Sequence, residues 1–211
     1  MAAEPSAAKP TPRRRRSDGE RSRAAILREA ARLATVEGLA GLSLARLADA
    51  VGMSKSGLFA HFGSKEELQL ATVDAASTIF EELVIEPAAA EPTGVPRVRA
   101  YVERFLDHVE EGVFPGGCFF VSAVSELNTH PGPVRDAALA FSRHWLELLA
   151  SEVATAQAAG ELDGAADPAQ IAFELNAFMV AGNVQFVAMA EPAVLELVRR
   201  AVESRLATLT R

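Results

Sequence analysis

The segment Ser43 to Phe62 leaves the chain few ways to fold. Ser43 is placed to cap a short helix whose apolar residues Leu44, Leu47, Ala48 and Val51 recur at i, i+3, i+4 and i+7, and Gly52 then stops it. Met53 fills the turn, Ser54 can cap a second short helix, and Leu58 and Phe62, four residues apart, point back from one face of it. A preceding pattern of Ile26, Leu27, Ala30, Leu33 and Ala34, running from about Asp18 to Glu37 and closed by Gly38, supplies a third rod. Three helices therefore fall within ~45 residues, arranged as a bundle that holds its last helix outward across a glycine turn.

Beyond Gly63 the pattern stays helical, and breaks come where Pro and Gly cluster: Glu86 to Pro96, Phe114 to Gly117, Asn128 to Pro133, Gly160 to Pro168, and Glu191-Pro192. The helices expected are 65–85, 96–111, 118–127, 133–159, 168–189 and 193–209, about nine in all. Valines are scattered rather than alternating with polar residues, and Ala is abundant, so the chain reads as all-α. The domain plan is an irregular basic arm at 1–17, a three-helix head at 18–64 and a helical body at 65–211.

Charge separates these parts. Residues 1–63 carry eleven Lys and Arg against six Asp and Glu, whereas residues 64–211 carry ten against twenty-two. Arm and head together, at net +5, on a body of net −12 would orient the molecule on a polyanion, although ordinary charge scatter is an open alternative. A short helix, a turn and an outward second helix is also the geometry that enters a DNA major groove, with phosphate contacts setting position and a few side chains reading base edges. Arg13, Arg14, Arg15 and Arg16 read as an arm for an adjacent minor groove or as non-specific phosphate attraction.

Other function classes find little support. With 49% hydrophobic and 23% charged residues the chain has material for a core, and no apolar run reaches a membrane span or a secretory signal, so a cytoplasmic address and no membrane partner are expected. The one cysteine, Cys118, has no internal disulfide partner, and no Cys/His spacing suggests a metal. Cys118 reads as a buried small hydrophobe, with a redox or electrophile sensor as the alternative. Asp107-His108 and Glu110-Glu111 superficially suit acid–base work, but no nucleophile elbow, phosphate loop or dinucleotide fingerprint accompanies them; neither enzyme activity, nor a cofactor, nor a metal site is expected.

Leu47, Ala48, Gly52, Met53 and Ser54, then Leu58, Phe59, His61 and Phe62, then Lys65, Glu66 and Leu68 resemble the head of the tetracycline-repressor (TetR) family over about residues 18–70. The body is similar to that family in being all-helical and of the expected length, with Gly116-Gly117-Cys118 opening a central helix as in some members. Two positions depart from the family pattern: Phe59 stands where Tyr is usual, losing a phosphate-reaching hydroxyl, and Ala60 stands where a larger residue is common.

The resemblance implies that Lys55, Ser56 and Gly57 approach base edges, with Phe59 able to meet a thymine methyl and Ala60 beside it, while Ser43, Ser54, His61 and Lys65 meet phosphates. Capping alone is the plain alternative for the two serines, and a solvated imidazole for His61. It further implies a homodimer through the last two helices, to which Leu175, Met179, Gly182, Asn183 and Phe186, with Leu195, Val198 and Val202, are assigned; the alternative for such stripes is intramolecular core. Aromatic residues in the middle of the chain suggest a small-molecule pocket or else a filled core: Tyr101, Phe105, His108, Phe119, Phe120, Phe141, Trp145, Phe173, Asn176 and Phe178.

The expected function is a sequence-specific regulator on a double-stranded, palindromic DNA operator, released as a repressor by a small, mostly apolar effector. The alternatives are a helical ligand-binding or interaction module whose head is merely structural, and a regulator that its ligand activates.

Overall fold

The computed structural model describes residues 12–210, with side chains from Gly19 onward. Among these residues the fold is all-helical: α1 (Pro12–Glu37), α2 (Leu44–Val51), α3 (Lys55–Phe62), α4 (Lys65–Phe80), α5 (Glu86–Ala89), α6 (Val95–Glu110), α7 (Phe119–Leu127), α8 (Pro133–Ala158), α9 (Pro168–Met189) and α10 (Ala193–Ala207). A π-helical stretch, Glu81–Ile85, joins α4 to α5, so that residues 65–89 form one continuous rod and the rods number nine. The break expected at Glu86 is therefore a widened turn. Pro87 has no N–H for the Leu83 carbonyl, and its ring would strike that carbonyl in a regular helix, which the wider π geometry accommodates.

One boundary differs at the start of the chain. Helix α1 begins at Pro12 rather than near Asp18, so the backbone of Arg13, Arg14, Arg15 and Arg16 is helical, not an irregular arm; Pro is well suited to open a helix. The side chains of these arginines, and residues 1–11, lie outside the described residues.

Local signals set the head as the sequence predicts. The Ser43 hydroxyl accepts the Arg46 N–H (3.2 Å), the Ser54 hydroxyl accepts the Gly57 N–H (3.1 Å), and Gly52 ends α2 in the left-handed region at φ 67°. Ser64 adds a third cap, accepting from the Glu67 N–H at the start of α4. Leu47, Ala48, Leu58 and Phe62 are buried against Ile26, Leu27, Ala30 and Ala31 of α1. Arg23 stacks over the Phe62 ring at 5.1 Å, lending the small core a cation–π lid.

The body packs α8 against α9 and α9 against α10, while α4 touches both α1 and α8 and so belongs to head and body at once. The loop between α6 and α7 is wedged between α1 and α9. The Gly116 N–H donates to Thr35 Oγ1 (3.2 Å), and a Cβ on Gly116 would lie 2.0 Å from the Thr35 carbonyl oxygen. At Gly117, φ is 78° and a Cβ would meet Asn183 Oδ1 at 2.3 Å. The Gly-Gly-Cys sequence is thus a requirement of close approach at two helices.

Candidate nucleic-acid interface and ligand cavity

On α3, burying Leu58 and Phe62 turns the opposite side of the helix to solvent. Lys55, Ser56, Phe59 and Ala60 are exposed together, and Phe59, at 56% exposure, is a large aromatic ring left in water. The N-terminal amides of α3 open beside Ser54, and those of α2 beside Ser43, giving two helix starts that suit an anion. Gly57 is half-buried, and a Cβ added there would lie 3.1 Å from the Ser54 hydroxyl oxygen. His61 is half-buried with its ring beside Phe62. Lys65 is exposed, but its ammonium already donates to the Ala40 carbonyl (2.5 Å), so it is anchored inside the head as well as facing solvent.

In the body, aromatic rings surround a cavity of about 460 Å3. Of the ten residues expected there, Phe105, Phe120, Phe141, Trp145 and Asn176 line it. The Asn176 side-chain carbonyl accepts the Trp145 indole N–H (3.1 Å), and Phe120 stacks on Phe141 with centroids 3.9 Å apart. The other five do not line it. Tyr101 packs edge-on behind Trp145, Phe119 behind Phe120, and His108 between Phe80 and Phe114, so these three form a second layer. Phe178 is half-buried away from the cavity, and Phe173 is 61% exposed on the outer side of α9, because the helix turns that face outward.

Phe80, missed in the sequence, is the centre of the cluster: its ring makes edge contacts to Phe105, His108, Phe120, Phe141 and Trp145. Its signal was present as the last apolar residue of α4, but nothing local distinguished it from ordinary core. Cys118 also lines the cavity, and burial pushes its thiol up to about 11, so it stays protonated at neutral pH. His108 is 3% exposed and neither ring nitrogen has a partner; burial lowers its pKa to about 4.

The residues assigned to a dimer contact need correction. Leu175, Met179, Gly182 and Asn183 face the inside of the chain, as do Leu195, Val198 and Val202, and Phe186 is half-buried. The small residue in that stripe admits α10 of the same chain: the Val198 side chain sits where a Cβ on Gly182 would be, 2.3 Å away. Asn183 is spent on the Cys118 N–H (2.8 Å), pinning the start of α7. The free surface lies on the other side, where Phe173, Ala177, Ala181, Val184 and Ala188 follow at helical spacing on α9 and Ala193 and Leu197 on α10, all exposed.

A joint links the cavity to the head. Phe120, Val121, Val124 and Ser125 of α7 line the cavity, and the next residue, Glu126, accepts the N–H groups of Leu39 (2.6 Å) and Ala40 (2.9 Å) in the turn between α1 and α2. The carbonyls of the same two residues are held from α4, Leu39 by Gln69 (2.6 Å) and Ala40 by Lys65. Sequence reading missed Glu126, since a lone acid on a surface helix carries no local mark of a contact 87 residues away.

Comparison with known proteins agrees with this geometry. The family model for bacterial regulatory proteins of the tetR family matches residues 26–72, and that for the tetracyclin repressor-like C-terminal domain matches residues 94–202. A TetR transcriptional regulator from Chloroflexus aurantiacus is 25% identical with a TM-score of 0.85, over 92% of this chain and 98% of that one. A TetR-family regulator from Streptomyces coelicolor is 24% identical with a TM-score of 0.76, over 90% and 97%. The structure of AibR in complex with isovaleryl coenzyme A and operator DNA is 24% identical with a TM-score of 0.67, over 89% and 98%. No curated protein sequence gives a significant match.

Proposed function

The chain belongs to the tetR family of bacterial transcriptional regulators, and from that premise we propose that it is a cytoplasmic repressor, bound as a homodimer to a palindromic operator and released by a small, mostly apolar effector. The observation that carries the release step is the joint. Two of the helices that wall the cavity, α4 through Phe80 and α7 through Phe120 to Ser125, also hold the N–H and carbonyl groups of Leu39 and Ala40 in the turn between α1 and α2. A ligand that separates α4 from α7 must move that turn, and with it α2 and α3. In a dimer this changes the spacing of two recognition helices that must match half-sites ~34–36 Å apart.

On DNA, Lys55 and Ser56 read base edges, Gly57 lets backbone approach, Phe59 packs on a thymine methyl with Ala60 beside it, and Ser43, Ser54, His61 and Lys65 meet phosphates. Arg13 to Arg16, continuing α1, add phosphate attraction. The head is residues 18–64 and the body 65–211. The dimer forms through the outward stripes of α9 and α10. Helix α9 has a single charged residue, Glu174, in 22 residues, and its alanines allow close approach of a second helix.

Selection of bound duplexes from a random pool, repeated with Lys55→Ala, tests the reading. A palindrome enriched by the wild type and lost with Lys55→Ala is expected; no enrichment at low salt would leave the head as a structural bundle. Phe173→Glu should turn the dimer into monomer in light scattering and abolish palindrome binding.

A further inference from the structure

We infer that the effector is an anion with an apolar tail, and that Arg143, with Arg135 behind it, receives its charged end at the mouth of the cavity; this rests on the cavity being the effector site. Among the described residues, its wall holds no charged side chain except Arg143, which is exposed. An ion drawn fully inside would lose its hydration with no counter-charge, so a charged group must stop at the rim, where Arg143 stands.

The pairing of basic residues points the same way. Arg97, Arg99, Arg104, Arg199 and Arg205 of the acidic body are each taken by a carboxylate: Glu152, Glu203, Asp107, Glu103 and Glu174. Among the described residues of the body, the arginines left without such a pair are Arg135, Arg143 and Arg200. Two of the three lie on α8 at i and i+8, with the cavity-lining Leu139 midway between them. Helical spacing puts Arg135, Leu139, Ser142, Arg143 and Leu146 on one stripe, of which the last four line the cavity. Arg135 also leaves its Nε buried and without an acceptor, an orphan donor that costs stability unless an oxygen comes to it. Glu147, one turn beyond Arg143, makes no ion pair with it, so the guanidinium is free for a planar carboxylate or a phosphate oxygen.

The test uses Trp145, the only tryptophan of the chain and a wall of the cavity, as its own reporter. Full-length protein is titrated with decanoate, decan-1-ol and decyltrimethylammonium below their aggregation concentrations, following Trp145 emission. Decanoate should bind about tenfold or more tighter than decanol at low salt, the cation weakest, with the gap closing as salt rises. Arg143→Gln and Arg135→Gln should each weaken decanoate and leave decanol unchanged. Equal binding of decanoate and decanol, or equal weakening of both by Arg143→Gln, would overturn the anion site while leaving the cavity as a ligand site. If none of the three shifts Trp145 emission, both the anion site and the effector cavity fall.

Discussion

The head and the body of this chain are built to opposite specifications. In the head, α2 and α3 are eight residues each, every end is capped by a nearby serine or glycine, and the core is filled by Leu47, Ala48, Leu58 and Phe62 on α1. In the body, helices of up to 26 residues enclose a cavity of about 460 Å3 and leave an apolar stripe of α9 in solvent. One region is closed and, with the arm that precedes it, basic; the other is hollow and acidic. The difference teaches where each ligand acts: a polyanion is read by a rigid surface, whereas a small molecule needs empty volume whose filling can shift helices.

Four substitutions break or sharpen that contrast. The largest effect is expected from Leu58→Ala, which empties a fully buried site in a core too small to collapse around it and should cost ~2–5 kcal/mol. Circular dichroism should show the loss while Trp145 emission, a body signal, moves little at low denaturant.

His108 gives the body a sensitivity to acid. Its folded pKa of about 4 lies below the ~6.5 of an unfolded histidine, so the folded state holds fewer protons; stability is full above pH ~6.5 and falls as pH drops, by ~3 kcal/mol at pH 4. His108→Phe should remove this slope from urea midpoints measured between pH 7 and 4.5 and be neutral or stabilising at pH 7, since two unpartnered nitrogens disappear. An unchanged slope would assign the acid sensitivity to other groups.

Glu126→Ala should uncouple the regions at a cost of ~1–3 kcal/mol, since two amides lose a carboxylate acceptor. Hydrogen exchange should rise at Leu39 and Ala40 while ligand affinity in the cavity is unchanged, and operator affinity should cease to depend on ligand. Retained dependence would remove Glu126 from the joint.

The smallest effect is at Ala190, a non-glycine residue at φ 54° that ends α9. Ala190→Gly relieves the left-handed strain but loosens the unfolded chain, for a net gain of up to ~1 kcal/mol in thermal unfolding.

Nearly all of the head was legible because its determinants lie within a few residues of one another. A serine caps an amide three positions on, a glycine takes the left-handed turn, and apolar residues four apart share a face. The cavity was half legible. Five of the ten residues expected there line it, and composition brought them together without distinguishing the wall from the layer behind, since Tyr101, His108 and Phe119 are as aromatic or as buried as the lining residues. The last two helices were read as apolar correctly, but the wrong side was assigned outward: Leu175 and Met179 are buried in the core, while Phe173 and Val184 are exposed.

By itself the sequence determined the helical fold, the order of the rods and most of their ends, and the family, because periodicity, caps and a recognition motif are local properties of a chain. Which face of α9 turns inward, that Phe80 centres the cavity, and that Glu126 reaches a turn 87 residues away were decided by the tertiary structure. Those contacts join residues distant in sequence, and each apolar or charged side chain has several possible partners until close packing chooses among them.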